Sequence, residues 1–196
     1  MNEEKRNSIE MLFRQHGPIL KAGFLREYRI YNRALAELVQ DGFVQKLKSG
    51  YYIWSDTVPD VSDVETVAAL VPFGIVCLQS AAVIHDMTTL NPLAVTVAIP
   101  SNRTRVALPE YPPVELVSYA MSTFELGAMK TASIRVYNRE RTVCDFFRKR
   151  KRLGDDLALE VLQTYMRGPR DLQTLFDYAG TLRIKNVMKP YVEALI

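Results

Sequence analysis

The stretch Tyr31-Asn32-Arg33-Ala34-Leu35-Ala36-Glu37-Leu38-Val39-Gln40-Asp41-Gly42-Phe43-Val44-Gln45-Lys46-Leu47-Lys48-Ser49-Gly50-Tyr51-Tyr52-Ile53-Trp54 decides the fold of the first part of this 196-residue chain. Its first half places Leu35, Leu38 and Val39 on one helical face, with Asn32 as the expected N-cap. Asp41-Gly42 closes that helix, because glycine suits the left-handed residue that ends one. The second half holds two β-prone runs, 43–47 and 51–54, separated by the turn Lys48-Ser49-Gly50. Helix then hairpin is the expected order.

Upstream, Ile9, Leu12, Phe13 and His16 recur at the spacing of one buried helical face within 7–16, and Gly17-Pro18 ends that helix. Phe24, Leu25 and Tyr28 mark a second short helix that breaks at Arg29-Ile30. Three helices and a hairpin within residues 1–55 predict a winged helix-turn-helix, and with it binding to double-stranded DNA. Charge agrees with that expectation. Residues 1–55 hold nine Lys/Arg against six Asp/Glu, whereas 56–196 hold sixteen of each sign. The surplus positive charge lies wholly on the segment expected to face phosphates.

In such a motif the N-terminal residues of the second helix meet base edges in the major groove. With Leu35, Leu38 and Val39 assigned inward, the helix offers Tyr31, Asn32, Arg33, Ala36, Glu37 and Gln40 outward. Arg33 is the candidate for a bidentate pair with guanine, and Asn32 or Gln40 for one with adenine. The plainer alternative is that Asn32 only caps the helix and Glu37 only pairs with Arg33 four residues earlier. Lys46, Lys48 and Ser49 on the hairpin are expected to touch phosphate, which positions a protein without reading sequence; a solvated hairpin tip is the alternative.

Ser55-Asp56-Thr57-Val58-Pro59-Asp60-Val61-Ser62 is polar and proline-bearing, so 56–62 reads as a linker and 63–196 as a second domain. There the pattern mixes helices and strands. Helices are expected at 63–70 and 75–85, strands at 93–99 and 114–119, and a hairpin from 124–129 and 132–137. A loop at 101–106 carries Arg103 and Arg105. Four helices follow, with apolar faces through Leu157, Ala158, Val161, Leu162 and Tyr165, then Leu172, Leu175, Phe176, Ala179 and Leu182, then Val187, Met188, Tyr191, Val192 and Leu195, after a first carrying Val143, Phe146 and Phe147. The fold class is α+β, a winged helix-turn-helix followed by a mixed α/β domain with a helical end.

A hydrophobic share of 48% is enough for ordinary cores without metals or disulfides. Cys77 and Cys144 form no CxxC or Cys/His ligand spacing and read as buried free thiols of a reducing compartment. No 18-residue apolar run occurs and the charged first six residues lack a secretory signal, so a cytoplasmic protein with no membrane partner is expected. No HExxH, GxSxG, phosphate-binding glycine loop or nucleotidyltransferase signature occurs, and neither a cofactor nor an enzymatic activity is expected. His85 follows Cys77 by about two helical turns, but no third group orients the pair for catalysis.

The densest basic run is Arg148-Lys149-Arg150-Lys151-Arg152. At a helix C-terminus such cations are favoured electrostatically, so a solvated helix end stands beside a nucleic-acid or protein contact.

The run Cys77-Leu78-Gln79-Ser80-Ala81-Ala82-Val83-Ile84-His85-Asp86-Met87-Thr88-Thr89-Leu90, the strand end Val97-Ala98-Ile99-Pro100, the stretch Val136-Tyr137-Asn138-Arg139-Glu140-Arg141-Thr142-Val143-Cys144-Asp145-Phe146-Phe147 and the ending Val187-Met188-Lys189-Pro190-Tyr191-Val192-Glu193-Ala194-Leu195 resemble the bacterial AbiEi family. The segment 34–42 is similar to that family's winged-helix domain. The resemblance implies an antitoxin of an abortive-infection toxin–antitoxin pair that represses its own promoter. It also implies a nucleotidyltransferase-like toxin from a neighbouring gene as partner, neutralised by residues 63–196, with Arg148, Lys149, Arg150, Lys151 and Arg152 as candidate contacts. Repeated half-sites in the promoter, with self-association on DNA, are expected because one small winged helix covers few bases. The competing readings are a winged-helix transcription factor whose second domain senses a ligand or dimerises, and a nucleic-acid-modifying enzyme that uses the first domain for targeting.

Overall fold

A computed structural model describes residues 2–103, 106–131 and 133–196. The chain is mixed α+β with two sheets and divides into two units, Met1–Val71 with Arg105–Pro113, and Pro72–Thr104 with Val114–Ile196. Arg105 and Ala132, expected in a loop and a hairpin, lie outside the described residues.

In the first unit the helices are α1 (Glu3–His16), α2 (Ala22–Glu27) and α3 (Asn32–Gln40). Asn2 caps α1, which starts four residues earlier than expected, by accepting from the Lys5 amide at 3.1 Å. Ile9 and Phe13 are buried, but His16 is exposed and stacks edge-on against Phe24 at 5.0 Å. Sequence reading passes over β1 (Ile19–Lys21), which pairs antiparallel with β3 (Tyr51–Trp54); β3 pairs in turn with β2 (Val44–Lys48). The expected hairpin is present and carries a third strand. Three residues were too few to register as a period-two pattern.

Two expectations about α3 change. Tyr31 takes the N-cap position with no side-chain cap, and Asn32 is the first helical residue. Leu35 and Leu38 are buried, but Val39 is 38% exposed, because two anchors on a nine-residue helix suffice to seat it. Gly42 ends the helix with φ +79°, its amide reaching the Val39 carbonyl at 3.2 Å, a conformation costly for any residue with a Cβ. Leu25, Ile30, Leu35, Leu38 and Trp54 join Ile9 and Phe13 in one core. Segment 56–62 is not extended: a 3-10 helix occupies Ser55–Asp60, and Ser62 then forms a capping box with Glu65 at the start of α4 (Asp63–Leu70). Both α4 and 106–113 belong to this first unit.

The second unit holds a five-stranded sheet in the order β6-β5-β4-β8-β7. Its strands are β4 (Ile75–Val76), β5 (Val95–Pro100), β6 (Val114–Tyr119), β7 (Ala128–Lys130) and β8 (Arg135–Tyr137). The expected helix over 75–85 is instead β4 followed by α5 (Leu78–Ile84). Ile75 and Val76 lie between β5 and β8, a fully buried place that admits a continuous apolar run. The expected start of the next strand at Leu93 moves to Val95, and Leu93 is 96% exposed. The β7–β8 hairpin forms, shorter than expected, after the one-turn α6 (Met121–Phe124). Helices α7 (Arg139–Leu153), α8 (Asp155–Arg167), α9 (Leu172–Thr181) and α10 (Lys185–Glu193) then pack through Val143, Phe146, Phe147, Val161, Leu162, Tyr165, Leu175 and Met188. Among the described residues no helix is long and apolar enough to cross a membrane.

Candidate nucleic-acid interface

Burying Leu35 and Leu38 turns the opposite face of α3 outward, so Tyr31, Asn32, Arg33, Ala36 and Gln40 are exposed together. The Arg33 side chain is 94% exposed; its Nε stands 3.4 Å from Glu37 Oε1, a solvated pair of the kind that contributes little and opens readily. Arg26, at the end of α2, joins Tyr31, Asn32 and Arg33 around a shallow concavity of about 460 Å³. Sequence reading did not select Arg26. Its signal was its position in the last turn of the helix preceding the recognition candidate. Two arginines thus line a hollow at the uncapped N-terminal end of α3, an arrangement suited to anionic oxygen atoms.

The hairpin divides its candidates. Lys46 and Ser49 are exposed, whereas Lys48 is half-buried. Lys48 Nζ donates to the Leu70 carbonyl at 2.6 Å and to the Ala107 carbonyl at 3.0 Å, and lies 4.5 Å from the centre of the Tyr51 ring. Burial, with the nearby charge of Lys21, lowers its pKa. Lys48, expected at phosphate, has two of its three N–H groups on backbone acceptors in this conformation, so it is less available than Lys46 and Ser49. The partners lie 22 and 59 residues away in the chain, beyond what local pattern reveals.

The basic run on α7 is also less open than its sequence implies. Arg148 Nη1 is 3.9 Å from Asp145 Oδ1, Arg150 Nε 3.2 Å from Asp155 Oδ1, and Arg152 Nη2 2.9 Å from Glu115 Oε1. Lys149 Nζ lies 5.9 Å from the centre of the Tyr119 ring. Lys151 is exposed and, among the described residues, stands outside these pairs. The run is a set of local pairs with one outlying cation.

Beneath it, Arg141 and Asp145 are wholly buried. Arg141 Nη1 donates to the Thr123 and Leu126 carbonyls at 2.7 and 2.8 Å, and its Nε to Asp145 Oδ2. Burial pushes the Asp145 carboxyl up more than Arg141 holds it down. The thiol–imidazole pairing weighed for Cys77 is not made: His85 Nε2 donates to the Tyr137 carbonyl at 2.6 Å, and Cys77 is buried with its pKa pushed well up by desolvation. A protonated buried thiol is a poor nucleophile.

No family model matches the chain, and no curated protein matches it in sequence.

Proposed function

We propose that the first unit is a winged helix-turn-helix that binds promoter DNA, and that the protein is a non-enzymatic antitoxin and autorepressor of the AbiEi type. The observation that carries the DNA reading is the outward face of α3, where Tyr31, Asn32, Arg33 and Gln40 stand exposed beside Arg26. Supporting it are the hairpin that follows and the confinement of the chain's excess positive charge to residues 1–55. In this reading α3 enters the major groove, Arg33 exchanges Glu37 for a guanine edge, and Lys46, Ser49 and Arg26 meet phosphates. The second unit, in a cytoplasmic protein, neutralises a nucleotidyltransferase-like toxin.

Fluorescence anisotropy of the full chain with the duplex upstream of its own reading frame tests the DNA half. Nanomolar to tens-of-nanomolar binding that weakens steeply between low and physiological salt is expected. Equal affinity for that duplex and for unrelated DNA would remove the autorepressor reading. Co-expression with the product of the adjacent gene, scored by growth, tests the antitoxin half.

A further inference from the structure

The segment 106–113 connects β5 to β6, two strands of the second unit, yet it belongs to the first. It lies along the β2–β3 hairpin. Between them is a cleft of about 580 Å³ with Lys46, Lys48 and Ser49 on one wall and Leu108, Glu110 and Tyr111 on the other. The segment is held at two points. Lys48 Nζ donates to the Ala107 carbonyl at 3.0 Å, and the Tyr111 hydroxyl donates to Asp63 Oδ2, at the start of α4, at 3.3 Å.

We propose that 106–113 is a latch which holds the hairpin in a low-affinity state, supplying the Ala107 carbonyl oxygen and the Glu110 carboxylate where DNA would supply phosphate oxygens. This rests on the DNA-binding reading above. Three facts support it. The three hairpin residues selected for phosphate contact all line this one cleft, and Glu110 is among the residues of the opposite wall. Two of the three N–H groups of Lys48 are bonded to carbonyl oxygens, and its charge sits over Tyr51. The ammonium is thus occupied by the chain's own acceptors, while burial and the charge of Lys21 lower its pKa. Releasing the segment removes one of the two acceptors and leaves Lys48 Nζ held by the Leu70 carbonyl alone, able to turn to a phosphate.

The test uses the full chain, a variant with residues 107–110 replaced by Gly-Ser-Gly-Ser, and the milder Glu110→Gln. Limiting N-hydroxysuccinimidyl acetate followed by peptide mass spectrometry reads the clamp without DNA: Lys48 is acetylated more slowly than Lys46 in the unaltered chain and at a similar rate in the replaced one. Anisotropy with the upstream duplex reads the consequence. The replaced chain binds about three- to tenfold more tightly, with a salt slope steeper by about one, as expected for one added phosphate contact. Adding Lys48→Gln cancels that gain, and Glu110→Gln reproduces part of it with the backbone intact. Equal affinity and slope in the unaltered and replaced chains overturn the latch alone, as does equal acetylation of Lys46 and Lys48 in the unaltered chain. No duplex binding by any of them overturns the DNA-binding reading and the latch with it.

Discussion

Arg141 and Asp145 stand one turn apart on α7, both wholly buried, with Nε and Oδ2 at 3.0 Å. The same guanidinium donates to the carbonyls of Thr123 and Leu126, so one side chain ties α7 to the stretch that leads into β7. Removing one partner of a buried pair leaves an uncompensated charge, which costs about 3–5 kcal/mol. Asp145→Ala is therefore expected to lower the unfolding free energy by that much in chemical denaturation. Arg141→Met should cost at least as much, since two carbonyls also lose their donor. A loss below about 1 kcal/mol for either would contradict the burial argument.

Gly127 packs against that pair. Its φ is +74°, and a Cβ there would stand 2.6 Å from Arg141 Cβ and 2.8 Å from Asn138 Oδ1. Neither neighbour can withdraw, because Arg141 is buried and Asn138 caps α7 through the Arg141 amide. Gly127→Ala combines backbone strain of about 1–3 kcal/mol with overpacking of similar size. A fall in Tm of many degrees is expected, whereas Gly180→Ala, with open space at its Cβ, should be tolerated.

Particular residues explain what was legible. The apolar stripes of α8, α9 and α10 repeat at 3.6 over several turns, and Val161, Leu162, Leu175 and Met188 are all buried. Ile75 and Val76 defeated periodicity because a two-residue strand inside a continuous apolar run has no period to detect. Arg141 and Asp145 stand at ordinary helical pair spacing, which carries no mark of burial; the structure buries the whole stretch from 141 to 147. In the candidate interface the outward residues of α3 follow from its helical phase. The fate of Lys48 does not, because its acceptor at Ala107 is 59 residues distant.

Asp171 offers a pH test. Its carboxylate accepts from the Thr174 amide at 3.0 Å and the Thr174 hydroxyl at 2.7 Å, which hold its pKa below the ordinary value. With the folded value below an unfolded one of about 3.9, the stabilisation is complete above that pH and is lost as pH falls through the folded value. The Tm difference between the unaltered chain and Asp171→Asn, which keeps a neutral cap on α9, should shrink steadily from pH 5 to pH 2.5 on the linkage relation. A difference independent of pH would assign the cap no charge component.

Arg33 and Lys46 separate base reading from positioning. Arg33→Ala is expected to cost about 1–3 kcal/mol on the upstream duplex and far less on unrelated DNA, so its mark is a lost preference. Lys46→Ala should weaken both duplexes alike and lower the salt slope by about one. Anisotropy on the two duplexes at several salt concentrations distinguishes these patterns, and a uniform loss for Arg33→Ala would make it a phosphate contact.

On the proposed antitoxin reading, a toxin contact at the helical half would turn on which cations remain available. Arg148, Arg150 and Arg152 stand at 3.9, 3.2 and 2.9 Å from Asp145, Asp155 and Glu115, so reversing them to Glu would set like charges against three carboxylates. Loss of fold would then imitate loss of neutralisation. Lys151 is exposed and outside those pairs, and its reversal changes the surface field without that conflict. Lys151→Glu is expected to weaken growth rescue in co-expression with the adjacent gene product while leaving Tm and promoter binding unchanged. Full rescue by Lys151→Glu with unaltered toxin binding would move the contact off α7, and the arginine pairs would then stand as internal supports of the helix end rather than as a docking surface.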